Sequence, residues 1–157
     1  MDFNFHELKD AIYSLHKSIA FFAICFVIAS SLSGCYRSRE KEYYLDKSNY
    51  VTCEAVVKNT VYKEENQAIY LWLTPAIDVY SDTTFSIKEK NLEIFIANGG
   101  LELLTNGKTI TFTSAPRYFG DGYIMPIVAI SCDDVILLDF EIGYNNLMES
   151  YGVPTAK

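Results

Sequence analysis

The sequence predicts a mainly β domain with one internal helix, and three observations carry that prediction. Runs rich in valine, threonine and aromatic residues recur from residue 50 onward, as strands favour. Short polar or glycine-containing turns separate them. A single stretch, 91–98 (NLEIFIAN), replaces the two-residue alternation with apolar spacings of three and four at Leu92, Phe95 and Ile96.

Residues 50–62 (YVTCEAVVKNTVY) form a long first strand and 63–67 (KEENQ) a polar turn. Residues 68–74 (AIYLWLT) alternate, with Ile69, Leu71 and Leu73 on one side and Tyr70 and Trp72 on the other, as a hairpin partner does. Residues 83–87 make a short third strand. The helix over 91–98 stops at Gly99-Gly100, and 101–104 leads into the Asn106-Gly107 turn. Residues 108–114 (KTITFTS) alternate with Ile110 and Phe112 inward. Residues 123–132 (YIMPIVAISC) are nearly all apolar and therefore central, with Pro126 indicating an edge or bulge. Asp133-Asp134 turns the chain into 135–140, and a short helix over 145–151 closes the domain.

This order resembles the OB-fold, in which five strands close a small barrel with a helix between the third and fourth. The resemblance covers about residues 50–132 and rests on element order and length. It implies a small closed barrel of about five strands, and closure leaves few strand edges exposed. Another small barrel or a sandwich with one helix is the alternative.

Upstream, 19–32 (IAFFAICFVIASSL) is uncharged and preceded by Lys17. Fourteen residues suit the apolar region of a secretion signal better than a bilayer span of about 20. Leu32-Ser33-Gly34-Cys35 follows directly and resembles the lipobox of bacterial lipoprotein precursors. The resemblance implies cleavage before Cys35, a diacylglycerol thioether on its sulfur, and a protein anchored outside the bacterial cell membrane. The expected organisation is a signal peptide over 1–34, a polar tether over 35–49 and an OB-like domain over 50–157. The leader is unusual in carrying Asp2, Glu7 and Asp10 against Lys9 and Lys17.

Both histidines, His6 and His16, precede Cys35, so a processed chain would hold none. That argues against Ser-His-Asp and Cys-His catalysis, and against the usual zinc sites. No cofactor and no metal is expected. Cys53 and Cys132 are the cysteines left to the domain, and a disulfide between them competes with two buried free thiols. A net charge of −7 argues against nucleic acid as a partner.

One segment stands out as a candidate ligand site. Residues 114–126 (SAPRYFGDGYIMP) carry Arg117, Tyr118, Phe119 and Tyr123 around a Gly-Asp-Gly turn, and aromatics beside an arginine stack on sugars, bases or peptide side chains. Tyr70 and Trp72 extend that surface. The competing reading is a hairpin loop whose aromatics cap the barrel end. Asp121 between glycines lacks the spaced acids of a calcium loop. The expected role is binding of a peptide, protein or cell-envelope glycan. The alternatives are a structural subunit of an envelope assembly, or a hydrolase using paired carboxylates such as Asp133-Asp134, Glu64-Glu65 or Asp139 with Glu141.

Overall fold

The structure is a computed structural model that describes residues 18–26, 39–75, 83–116 and 124–154. The chain forms two compact units, Met1–Ser38 and Arg39–Lys157. Within the first, residues 18–26 are helical. Among the described residues, no helix is long and apolar enough to cross a membrane.

The second unit is a closed barrel. Its strands are β1 (Val51–Lys63), β2 (Ala68–Pro75), β3 (Thr84–Lys88), β4 (Thr109–Ser114), β5 (Ile124–Cys132) and β6 (Val135–Leu138). The ladder runs β3-β2-β1-β4-β5-β6, and a parallel pairing of β3 with β5 closes the first five strands into a ring. Helix α2 (Glu89–Ala97) lies between the third and fourth strands, as in the OB-fold. The shorter α3 is Gly100–Leu103, α4 is Phe140–Ser150, and a first helix, α1, covers 39–45.

Alternation explains the core. Ala55, Val57, Ile69, Leu71, Leu73, Ile110 and Phe112 point inward, and Phe85 meets Phe112 edge-on with ring centroids 4.8 Å apart. Leu92 and Phe95 of α2 are buried in the same cluster. The β4–β5 register slips between Thr113 and Ser114, which face Ala129 and Ile127, so Val128 is an extra residue in a bulge two positions from Pro126. Asp133 and Asp134 both have positive φ, 49° and 64°, the backbone of a two-residue hairpin turn between β5 and β6.

Two boundaries differ from expectation. Helix α4 begins at Phe140, not near Asn145, because Asp139 caps it: one carboxylate oxygen accepts from the Glu141 N–H at 2.9 Å and the Ile142 N–H at 3.4 Å. The strand before it accordingly ends at Leu138. Residues 39–49 are also more than a tether. Tyr44 of α1 is 1% exposed and packs in a second cluster with Ala115, Tyr144 and Met148, flanked by Tyr43, Tyr50, Phe140 and Tyr151. The Tyr144 hydroxyl donates to the Leu45 carbonyl at 2.7 Å, and the Tyr50 hydroxyl to the Tyr44 carbonyl at 3.0 Å. The folded unit therefore starts at Arg39.

The Cys53–Cys132 disulfide weighed from the cysteine count is not formed: both are free thiols. Cys53 pairs with Phe112 and Cys132 with Ile110, so β4 runs between their strands. Two strand spacings of about 4.8 Å separate the Cα atoms by more than a disulfide spans. Burial pushes both thiols above their ordinary pKa.

Candidate functional site: an aromatic and lysine face

The outer face of the barrel is built by the same alternation that fills its interior. Every inward residue of β2 is followed by an outward one, so Ala68, Tyr70 and Trp72 share one side. Register then fixes their neighbours. Asn59, Trp72, Thr84 and Ile124 form one row across β1, β2, β3 and β5. Val61, Tyr70, Ser86 and Pro126 form the next. Lys63, Ala68 and Lys88 form the rim.

Trp72 and Ile124 are each 38% exposed, which gives the first row an open apolar surface. Tyr70 has a cation from each neighbouring strand near its ring: Lys63 Nζ is 5.7 Å and Lys88 Nζ 5.9 Å from the centroid. Ala68, between the two lysines, is fully buried. These rows carry two lysines and no carboxylate, in a chain with 20 acidic and 13 basic residues.

The residue that follows the candidate loop lies on this face. The loop's Arg117, Tyr118, Phe119 and Tyr123 lie outside the described residues, but both of its anchors are within them. Ile124, which follows the loop, occupies the Trp72 row. Ala115, which precedes it, is fully buried in the cluster that holds Tyr44. Ser114 Oγ donates to the Pro126 carbonyl at 2.8 Å and ties the two ends together. The alternation of β2 sets Tyr70 and Trp72 on the side opposite Ile69, Leu71 and Leu73, and the structure puts Ile124, the residue after the loop, in the row of Trp72. Lys63 and Lys88 were missed, because strand ends read as turn residues until the register aligns them.

Three of the carboxylates considered for acid–base work have other partners. Asp133 is ion-paired with Lys108. Glu141 pairs with Lys47 at 2.7 Å, and Asp139 caps α4. Among the described residues, no group of three or more His, Cys, Asp or Glu is arranged to hold a metal ion. Residues 32–35, with Cys35, and both histidines lie outside the described residues.

The α1–α4 cluster has its own electrostatics. Burial pushes the phenols of Tyr44, Tyr50 and Tyr151 far above their ordinary range; the Glu40 carboxylate adds to the effect at Tyr44 and Tyr151, and the Tyr44 phenol at Tyr50. Lys47 Nζ sits 4.7 Å from the Tyr144 ring centroid while paired with Glu141. These groups hold residues 43–50 against α4. In comparisons with known proteins, the chain matches no family model, no curated protein and no solved structure.

Proposed function

We propose that this chain is a bacterial lipoprotein, anchored outside the cell membrane through lipid on Cys35, whose OB-like barrel binds a peptide, protein or cell-envelope glycan on the Trp72 face. The observation that carries the binding reading is the shared row of Trp72, Thr84 and Ile124, which brings an exposed tryptophan into line with the residue that follows the Arg117–Tyr123 loop. OB-type barrels take ligands on the outer side of the second and third strands and on the adjoining loops. The anchor reading is supported by the lipobox after an apolar run too short for a comfortable span. The partners already held by Asp133, Asp139 and Glu141 favour binding over the hydrolase alternative at those residues.

Trp72 is the chain's single tryptophan, so its fluorescence reports this face alone. A screen of envelope glycans and peptides against the full chain tests the reading. Saturable change in Trp72 emission, lost in Arg117→Ala or Tyr123→Ala, is expected. Tight binding with no change in emission would move the site off this face.

A further inference from the structure

We infer that Lys63, Tyr70 and Lys88 form an anion subsite on the Trp72 face, and that the ligand is an acidic saccharide. Its ring stacks on Trp72 while its carboxylate meets the two ammonium groups. This rests on the face reading above and adds the ligand's chemistry.

Convergence is the first argument. Lys63 and Lys88 stand about 9.6 Å apart at Cα, two strand spacings. Both ammonium groups nevertheless reach within 6 Å of the same tyrosine ring. Two ammonium groups within 6 Å of one ring centroid, each with three N–H donors, make this end of the face cationic. The ion pairs among the described residues are Lys47–Glu141, Lys90–Glu149 and Lys108–Asp133, and neither face lysine takes part in one. Glu89, the residue after Lys88, lines a groove with Tyr62, Gln67, Leu92, Glu93 and Ile96. Glu64 and Glu65 lie in the turn beyond Lys63.

Shape is the second argument. Tyr70 and Trp72 are two residues apart on β2, about 6.7 Å, which suits one sugar ring beside one charged substituent. Trp72 is 38% exposed, so its ring is accessible to a stacking partner. A peptide strand finds no edge here, because β3 is paired on both sides, with β2 and β5. Nucleic acid draws its affinity from many phosphate contacts, and a chain of net charge −7 with two lysines on this face does not track a phosphate backbone.

The test is Trp72 fluorescence of the full chain in detergent, titrated with uronic-acid oligosaccharides and with their methyl esters. Oligothymidine and polyglutamate serve as competing anions. We expect the acids to bind about tenfold or more tighter than their esters, a difference that a charged contact supplies. Lys63→Gln with Lys88→Gln removes that difference, whereas Lys90→Gln on α2 leaves it intact. Equal affinity for acid and ester, or an unaffected double variant, overturns the anion subsite and leaves the face reading standing. Tighter binding of oligothymidine or polyglutamate overturns the saccharide. No response to any acid, ester, DNA or peptide overturns both.

Discussion

Gly143 of α4 lies against the backbone of Val128 in β5, so closely that a Cβ at position 143 would stand 1.9 Å from the Val128 carbonyl oxygen. Val128 is the bulged residue of β5, and the helix rests on that bulge. Asn91 of α2 locks the same place by donating its side-chain amide to the Gly143 carbonyl at 2.9 Å, while accepting from Asn146 at 2.8 Å. Gly143→Ala must therefore push the helix off the strand. A loss of about 3 kcal/mol is expected in urea unfolding, with a lowered midpoint and an unchanged slope.

Tyr44 should act as the peg that holds residues 39–49 on the barrel. Tyr44→Ala removes a fully buried ring from a cluster of aromatics and costs about 3 kcal/mol. The check is amide exchange. Protection should fall over 39–50 and around Ala115, which shares the cluster, while β1–β3 stay protected.

Alkaline pH should loosen the same region. Tyr44, Tyr50 and Tyr151 have folded pKa values above the unfolded value of about 10. Their contribution is complete below pH ~10 and is lost as pH rises toward the folded values, because the unfolded chain releases protons first. Melting temperature should be flat from pH 7 to 9 on this account and fall steeply above 10. The phenolate absorbance owed to these three tyrosines should appear late, together with unfolding.

Much of this architecture was legible from periodicity. Ile69, Leu71 and Leu73 alternate with Tyr70 and Trp72, and that pattern fixed both the core and the outer face of β2 before any register was known. The helix at Leu92 and Phe95 was equally plain, because a spacing of three to four has no reading as a strand. Three features were hidden. Lys63 and Lys88 converge only after β1, β2 and β3 are aligned, a long-range fact. Asp139 looked like the end of a strand, although Asp139-Phe140-Glu141 is a capping pattern. Tyr43 and Tyr44 sit in a charged stretch with no apolar period, and their burial depends on α4 nearly a hundred residues later.

Asp139→Ala should cost about 1 kcal/mol, the usual worth of an N-cap. Reductant should leave the melting temperature of the barrel unchanged, since Cys53 and Cys132 are free. Thiol titration of the native and unfolded protein checks the second point: Cys132 should react only on unfolding, and a drop in stability with reductant would reveal a bond.

Under the proposed function, the barrel is held outside a membrane through one sulfur, that of Cys35. The most direct measurement is the intact mass of the protein extracted from bacterial membranes, beside a Cys35→Ala control. The predicted result is a chain beginning at Cys35 and carrying a diacylglycerol adduct, with the alanine variant lacking the adduct and uncleaved at that site. A full-length chain with no lipid, retaining its first 34 residues, would contradict it.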